Sequence, residues 1–573
     1  MACARRCSMR RGMGSGEWGV GSQDINAKSQ NLMSNSTTNN RQENPEAAKS
    51  QTPGSAPTPH SPFPTPHSPL HFWLLFVISS ILLFSSLHKG GLSGYDDAFY
   101  AHYGKQMMLS GDWWSLRLNG YHVFEFPPMF PWLEALSMKV FGVTDFAAKF
   151  PAALSGLLTI VLAYLIAKEL FDGFWAPILS MAIMGATQYF IKYAMHSMTD
   201  APFTFFFTLS IYLYLKALKE PGYFLLSGTA IGAAILTRSV LGLIPLGINF
   251  LHMIVTGKRA LILSKQFIGA VALSIALPAV WYVSQYGLYG TRFLNDHFSF
   301  VASKIVGRET VVIEDLRPPE VILCRTIEGQ DFAVRIPIDA APRSDAGGGF
   351  SRVALGFVEY PKLLLRHYWP WLPLTLIGLV GQVKALVRSR DAAAALLVIW
   401  VACLLIPFSF AEAKVLRYIM PIFPAFAILA SAPLRRWAAT GRSAFYVKLV
   451  YLLALAALLV AALFPQPKPR AEDMQSLAPI IDANSNPARR VILYTYGELH
   501  HNYQSQLIWY SNRYCVHLTE LNTVRNALNS CPELIAVVDK QAFKRMSGEP
   551  GVSVRALGES ENFVCIKATN QSP

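Results

Sequence analysis

Long apolar runs separated by short polar loops dominate the chain from Leu70 to Phe464. A helix of about 20 apolar residues is long enough to cross about 30 Å of hydrocarbon. By this criterion the pattern predicts about eleven membrane-spanning helices. They cover residues 70–88, 147–170, 174–194, 201–218, 223–236, 240–255, 261–286, 364–387, 392–410, 416–432 and 445–464.

The two ends of the chain follow other patterns. Residues 1–69 are rich in Asn, Ser, Gly, Gln and Pro, and such a segment cannot bury a core, so a disordered arm is predicted. Residues 466–573 alternate strand-like and helix-like patterns, which predicts a small α/β domain. The strand-like runs are 491–496, 534–538 and 563–568, and the helix-like runs are 503–511 and 521–529.

An insert over residues 307–349 interrupts the helical region. Apolar and polar residues alternate over residues 310–315, 320–327 and 331–338, with Glu328-Gly329 as a turn. Alternation with period two is typical of strands, so the insert is predicted to be a small hairpin outside the membrane.

Composition supports a membrane protein and argues against other classes. Of the 573 residues, 52% are hydrophobic and only 15% are charged, which is too apolar for a soluble protein of this size. The net charge of +14 lies largely in short loops and forms no folded basic stripe with exposed aromatics, so nucleic-acid binding is not predicted. The seven cysteines include no CxxC pair, which argues against a structural zinc site.

The loop charges predict which side of the membrane each loop faces. Lysines and arginines concentrate in the loops on the side of the N-terminal arm, and this side is therefore cytoplasmic. The loop of residues 89–146, the insert and the C-terminal domain then lie on the extracytoplasmic side. Polar residues from distant parts of the chain share that face, namely Asp96, Asp97, Glu125, Asp200, Arg238, Lys414, Arg417 and Tyr418.

These side chains have the chemistry that sugar transfer from a lipid phosphate requires. A positioned carboxylate takes the proton of an acceptor hydroxyl, and Asp96, with its neighbour Asp97, is the candidate base. Arginine binds phosphate with two parallel hydrogen bonds, so Arg238 and Arg417 are candidates for that role, with Lys414 as support. Glu125 and Asp200 are candidates to hold sugar hydroxyls or a divalent cation, although too few ligands are identifiable to assign a metal.

Simpler structural roles are open for each of these residues. Asp96, Asp97 and Asp200 are placed to cap helices, and Glu125 to pair with a local cation. The basic residues Arg238, Lys414 and Arg417 suit anchoring at the headgroup level. The aromatic residues of loop 89–146 suit either a headgroup belt or a sugar-binding surface.

The motifs around these residues resemble those of the GT-C integral-membrane glycosyltransferases of the protein O-mannosyltransferase-like group, above all the bacterial lipid A aminoarabinose transferases. They occur in family order over roughly residues 70–433. The matching segments are Tyr95–Ala101, Leu109–Trp113, Phe124–Pro128, Thr199–Pro202, Leu236–Arg238 and Lys414–Pro421.

The resemblance implies a GT-C fold and an enzyme that moves a sugar from a polyprenyl-phosphate carrier to an extracytoplasmic acceptor, either a lipid or a protein. It implies no required cofactor, although a divalent cation is allowed. By position, Asp96 matches the acid thought to be catalytic, and Asp97 stands where many relatives have Glu. Two departures put the donor sugar in doubt, because Phe126 replaces a lysine that contacts the donor phosphate and Phe99 replaces an arginine.

We therefore expect an all-α polytopic membrane protein with a small extracytoplasmic α/β C-terminal domain. The expected function is an inverting glycosyltransferase in the cell membrane, the inner membrane if the cell is bacterial, with an extracytoplasmic active site. Two alternatives remain, a transporter of lipid-linked sugars and a non-catalytic glycolipid-binding relative. A transport pathway requires polar residues towards the bilayer midplane, and the predicted spans contain few.

Overall fold

The computed structural model describes residues 69–570, except residue 95 and residues 307–320, 326–330, 335–348, 412–413, 439–440, 465–470, 487–489, 496–500, 519–520 and 531–532. Several predictions therefore lie outside the described residues. They are the disordered arm up to residue 68, the role of Tyr95 in the motif, the first strand of the insert and the turn at Glu328-Gly329.

Helices make up most of the described chain up to residue 463. The first part contains α1 (Pro69–Phe84), α2 (Asp96–Ser110), β1 (Arg117–Leu118), β2 (Tyr121–His122), α3 (Met129–Phe141), α4 (Asp145–Leu170), α5 (Trp175–Gly185), α6 (Gln188–Ala194), α7 (Asp200–Ala217) and α8 (Tyr223–Arg238). The second part contains α9 (Ile244–Val255), α10 (Lys265–Tyr289), α11 (Thr291–Val306), β3 (Val321–Arg325), β4 (Asp331–Val334), α12 (Gly349–Tyr368), α13 (Leu372–Ser389), α14 (Ala392–Phe410), α15 (Ile422–Ala438) and α16 (Gly441–Leu463).

Six segments within the described residues are helical, long and apolar enough to cross a membrane. They are residues 145–170, 223–255, 265–289, 372–389, 392–410 and 444–463. Shorter apolar helices cover residues 69–84, 175–185 and 422–435. The prediction of a mostly helical membrane protein is therefore confirmed.

Two predicted spans differ from the observed helices. The run 174–194 divides into α5 and α6 around Thr187, so it is not one straight helix. The runs 223–236 and 240–255 are joined by a short 3-10 helix, Ser239–Leu243, in which Ser239 has φ of 52°. A residue with positive φ cannot continue an α-helix, so the chain changes direction there.

Polar side chains cap three of the long helices. Thr144 accepts a hydrogen bond from the Ala147 amide at the start of α4, and Ser264 does the same for Phe267 at the start of α10. Asp391 caps α14 in the same way through the Ala394 amide. Each cap satisfies one of the amides that the first turn leaves without a partner.

The C-terminal part contains a five-stranded sheet with order β6-β5-β7-β9-β8. Its elements are α17 (Glu472–Asn484), β5 (Val491–Tyr494), α18 (His501–Tyr510), β6 (Cys515–Leu518), α19 (Leu521–Ser530), β7 (Glu533–Asp539), α20 (Lys540–Ser547), β8 (Val552–Glu559) and β9 (Phe563–Asn570). The pairs β5–β6 and β5–β7 are parallel, whereas β7–β9 and β8–β9 are antiparallel. The predicted alternation of strands and helices is thus present over residues 491–570.

The close contact between α8 and α10 depends on Gly228. A Cβ atom at this position would lie 2.3 Å from the Ala270 carbonyl oxygen.

We expect Gly228→Ala to lower the free energy of unfolding by about 1–3 kcal/mol, because the rigid backbone of α10 cannot yield. Thermal unfolding in detergent measures the effect, with Gly247→Ala in α9 as the control. No atom lies within 4 Å of a Cβ at residue 247, so an unchanged or higher melting temperature is expected there. Equal melting temperatures for the two variants would contradict this account.

Candidate active site

A cavity of about 270 Å³ lies where α2, α7, α8, α11 and the segment after α14 meet. Its volume is near the lower end of the range for ligand pockets, about 300 Å³. Charged and hydroxyl groups share its walls with a larger number of apolar side chains. The lining residues are Asp96, Phe99, Tyr100, Tyr103, Leu118, Glu125, Phe126, Pro127, Met198, Asp200, Arg238, Ser239, Val240, Leu241, Phe300, Val301, Phe408, Ala411, Arg417 and Tyr418.

The first ion pair in this cavity joins residues 321 positions apart in the chain. Asp96 is the first residue of α2, and Arg417 lies in the 3-10 helix Leu416–Ile419. Arg417 Nη1 donates a hydrogen bond to Asp96 Oδ2 at 2.6 Å, and the two side chains are 25% and 29% exposed. Both side chains line the cavity, so a bound molecule has access to the pair.

A second ion pair lines the same cavity. Asp200 is the first residue of α7, and Arg238 is the last residue of α8. Arg238 Nη2 lies 2.9 Å from Asp200 Oδ1, whose side chain is fully buried. Arg238 Nε also donates a hydrogen bond to Thr199 Oγ1 at 3.2 Å, and its guanidinium group lies 5.6 Å from the centre of the Tyr418 ring. Tyr418 therefore helps to hold the arginine by a cation–π contact.

Aromatic rings form one wall of the cavity. The Phe126 ring packs edge-on against Tyr100, with centroids 5.0 Å apart, and against Phe300 at 5.1 Å. Burial and the nearby Asp96 carboxylate raise the pKa of the Tyr100 hydroxyl, which favours its neutral form. Glu125, next to Phe126, also lines the cavity.

Asp97 lies outside this cavity, although it was predicted to act beside Asp96. Its side chain is buried and accepts hydrogen bonds from the Ser93 amide at 2.8 Å, from Ser93 Oγ at 3.0 Å and from the Ser197 amide at 2.5 Å. Successive residues at a helix start point in different directions, so Asp97 faces the protein where Asp96 faces the cavity. These contacts give Asp97 a structural role, which joins the segment before α2 to Ser197, and we assign it no catalytic role.

Ser197 links Asp97 to a buried acid that sequence reasoning missed. Ser197 Oγ donates a short hydrogen bond to Glu134 Oε1 on α3. Burial raises the pKa of Glu134 well above its usual range, while the bond from Ser197 acts in the opposite direction. The resulting network joins α2, α3 and the turn before α7, and so connects the segments that carry Asp96 and Asp200.

Lys414 also differs from its predicted place beside the two arginines. Its ammonium group donates hydrogen bonds to the carbonyl oxygens of Ser409, at 2.7 Å, and Ala411. These carbonyls belong to the last turn of α14 and the residue after it, where a cation is favoured by the helix dipole. Lys414 is not among the residues that line the cavity. Arg238 and Arg417 are the predicted cations that the structure brings into it.

Several lining residues were not identified from the sequence. Met198 precedes α7, Ser239–Leu241 belong to the 3-10 helix after α8, and Phe300–Val301 come from α11. The positive φ of Ser239 and the amphipathic pattern of α11 explain why these residues face the cavity. The pattern of α11 was the only signal in the sequence, since the break at Ser239 depends on backbone geometry.

Within the described ranges, no group of three or more His, Cys, Asp or Glu side chains is arranged to hold a metal ion. Of the three acids that line the cavity, Asp96 and Asp200 each form an ion pair with an arginine.

Comparison with protein families and curated proteins agrees with the motifs. Residues 125–282 match the family described as dolichyl-phosphate-mannose-protein mannosyltransferase. An uncharacterized protein of Aquifex aeolicus is 31% identical over 227 residues, which cover 39% of this chain and 45% of that protein. The undecaprenyl phosphate-alpha-4-amino-4-deoxy-L-arabinose arabinosyl transferase 2 of Pseudomonas fluorescens Pf-5 is 28% identical over 410 residues, 69% of this chain and 61% of the relative. The chain thus spans about half of the length of these curated relatives.

Two solved structures share the fold. ArnT from Cupriavidus metallidurans bound to undecaprenyl phosphate gives a TM-score of 0.64 at 18% identity, covering 87% of this chain and 98% of that one. The oligosaccharyltransferase AglB from Archaeoglobus fulgidus, in complex with an inhibitory peptide and a dolichol-phosphate, gives 0.51 at 11% identity, covering 82% and 69%. The predicted resemblance to the GT-C glycosyltransferases and the aminoarabinose transferases is confirmed.

Proposed function

We propose that this protein is a glycosyltransferase that moves a sugar from a polyprenyl-phosphate carrier to a hydroxyl of an extracytoplasmic acceptor. One observation carries the proposal. A carboxylate suited to accept a proton, Asp96, lies 2.6 Å from a guanidinium group suited to bind phosphate, Arg417, in one cavity of ligand size. A base and a phosphate-binding group must act on the same substrate at once, so this proximity is required.

The two arginines are suited to bind the lipid phosphate. Arg417 Nε and Arg238 Nη1 are buried N–H groups with no hydrogen-bond partner in the described part of the chain. A buried donor without a partner is costly, and a phosphate oxygen is a strong acceptor. The two guanidinium groups also supply positive charge that Phe126 does not, since Phe126 stands where aminoarabinose transferases are expected to have a lysine.

The reaction is a single displacement at the anomeric carbon. The acceptor oxygen forms a bond to this carbon while the bond from the carbon to the phosphate oxygen breaks. The proton of the acceptor hydroxyl passes to the Asp96 carboxylate, and the leaving polyprenyl phosphate keeps the electron pair. Arg417 and Arg238 stabilise the charge that develops on this phosphate, and a single displacement inverts the anomeric configuration.

The same proposal includes the orientation in the membrane. The chain crosses the membrane about eleven times by the hydrophobic pattern, with the cation-rich loops on the cytoplasmic side. The cavity, the insert and the C-terminal domain then face the extracytoplasmic side, in the inner membrane if the cell is bacterial. Membrane lipids surround the helices, and Val240, Leu241 and Phe300 give the polyprenyl chain an apolar wall. The acceptor is a lipid or protein that this side exposes.

A transfer assay with purified protein tests the proposal. The donors are undecaprenyl phosphates carrying aminoarabinose, mannose or galactose with a radioactive label. The acceptors are membrane lipids and envelope proteins from the cell that makes the protein. We expect label to move to the lipid or protein fraction from at least one donor. Binding of undecaprenyl phosphate without transfer from any donor would overturn the enzyme proposal and favour a non-catalytic relative.

A further inference from the structure

The last turn of α18 packs against the segment that carries Asp96. The Tyr510 hydroxyl accepts a hydrogen bond from the Leu92 amide at 2.7 Å, and Gln506 Nε2 donates one to the Leu92 carbonyl oxygen at 2.8 Å. Both backbone groups of Leu92, four residues before Asp96, are therefore held by α18. We call Gln506, Trp509 and Tyr510 together the α18 contact.

The α18 contact also holds the body of α2. Lys105 is buried, and its ammonium group donates a hydrogen bond to the Trp509 carbonyl oxygen at 2.7 Å. The same ammonium lies 5.2 Å from the centre of the Trp509 ring. The Trp509 side chain is 4% exposed and packs with Leu92, Ala98 and Ala101 in one apolar cluster. Asp96 is thus bracketed by a contact before it and contacts along the helix after it.

Asp145 connects the α18 contact to the start of α4. Its Oδ1 accepts hydrogen bonds from Trp509 Nε1 at 3.0 Å and from the Tyr510 hydroxyl at 3.1 Å. Its Oδ2 accepts one from Gln475 Nε2 at 3.1 Å. Tyr510 therefore accepts from Leu92 and donates to Asp145, and its single hydroxyl joins α18 to the segment before α2 and to α4.

We propose that Tyr510 and Trp509 are positioning residues for the transfer reaction, which hold α2 so that the Asp96 carboxylate meets the acceptor hydroxyl in the cavity. The inference rests on the proposed function and adds a role for the C-terminal domain. None of the described residues of that domain lines the cavity, so the domain acts on it through α2.

The inference predicts a separation between binding and turnover. Arg238 and Arg417 are carried by α8 and by the helix Leu416–Ile419, and none of the hydrogen bonds described for the α18 contact involves them. Loss of the contact should therefore spare donor binding and displace the base. Displacement of a catalytic group by 1 Å costs up to roughly 100-fold in rate.

Two Tyr→Phe substitutions in the same helix form the test. Tyr510→Phe removes the hydroxyl that joins Leu92 and Asp145. Tyr503→Phe removes a hydroxyl about two turns earlier in α18, where the Tyr503 and Phe563 ring centroids are 4.6 Å apart and the rings pack in the core of the C-terminal domain. We expect Tyr510→Phe to lower kcat by about 10-fold or more with KM for the undecaprenyl-phosphate sugar unchanged within about twofold. Tyr503→Phe should keep both constants near those of the wild type.

Hydrogen exchange adds a measurement that does not depend on transfer. Amides of residues 92–104 should exchange faster in Tyr510→Phe than in wild type, and at the wild-type rate in Tyr503→Phe. Trp509→Phe, which removes only the indole donor to Asp145 and part of the ring, should shift kcat and exchange in the same direction.

The outcomes separate the two proposals. A wild type that transfers no sugar would overturn the proposed function. An active wild type with equal kcat for Tyr510→Phe and Tyr503→Phe would overturn only the positioning role. Unchanged exchange over residues 92–104 in Tyr510→Phe would also overturn it, whatever the activity. A raised KM with unchanged kcat would show that the contact serves donor binding instead.

Discussion

The variant Asp96→Asn is expected to lose sugar transfer while it keeps its affinity for undecaprenyl phosphate. Loss of a positioned general base lowers kcat by about 10²- to 10⁴-fold. The asparagine amide has nearly the shape of the carboxylate but cannot accept the acceptor proton. The substitution also removes a negative charge 2.6 Å from Arg417, so binding of the anionic lipid should be unchanged or tighter.

Transfer kinetics and calorimetric binding of undecaprenyl phosphate in detergent check this result. Asp172→Asn is the matched control, because Asp172 is exposed and is not among the cavity residues. Its kcat and Kd should match those of the wild type. Residual activity above one tenth of wild type in Asp96→Asn would remove this residue from the role of base. A weaker Kd together with normal kcat would instead identify Asp96 as a donor-binding residue.

The variant Arg417→Ala is expected to bind undecaprenyl phosphate about 10- to 150-fold more weakly. A hydrogen bond to a charged group contributes about 1.5–3 kcal/mol, and each 1.4 kcal/mol corresponds to a tenfold change in Kd. Arg417 is also the partner of Asp96, so its loss leaves this carboxylate without its ion pair near the incoming phosphate. Repulsion between the two anions then adds to the loss of affinity.

Arg417→Lys distinguishes charge from geometry. Lysine keeps the positive charge but lacks the planar fork, so we expect a Kd between those of Arg417→Ala and wild type. Arg388→Ala serves as the control, since Arg388 lies exposed in the last turn of α13 and is absent from the cavity lining. Binding of undecaprenyl phosphate with wild-type affinity by Arg417→Ala would show that Arg238 alone holds the phosphate, or that the lipid binds elsewhere.

The charged residues of the cavity show how much of the site the hydrophobic and charge patterns predict. The loop charges predict that Asp96, Asp200, Arg238 and Arg417 share one face of the membrane, and the structure brings these four into one cavity. Each of the four lies at or near the end of an apolar run, and the ends of such runs lie at a membrane surface. The pairing itself, Asp96 with Arg417 and Asp200 with Arg238, had no signal in the sequence.

Asp97 and Lys414 show where the same reasoning fails. Membrane topology assigns a residue to one side of the bilayer, but it does not say which way a side chain points within a turn. Asp97 differs from Asp96 by one position, a rotation of about 100° around a helix of 3.6 residues per turn, and it bonds to Ser93 and Ser197 instead. Lys414 lies three residues from Arg417 and bonds to the end of α14.

The C-terminal sheet shows a similar division. The strands β5, β7 and β9 each contain at least four consecutive apolar residues and were predicted. The strands β6 and β8 were missed. Both are edge strands, and polar residues interrupt the apolar residues in each. The contact of α18 with α2 was also missed, because Trp509 and Leu92 are 417 positions apart and their pairing leaves no periodic pattern.

Properties that depend on neighbouring residues in the chain can be read from the amino acids alone. Hydrophobic run length specifies the helical membrane protein, and loop charge predicts an orientation for it, because the bilayer imposes these requirements on every segment separately. Which acid faces the cavity, which arginine pairs with it and which helix holds Asp96 in place depend on packing between segments hundreds of residues apart. Those features arise from the shapes of the packed helices, and only the folded chain brings them together.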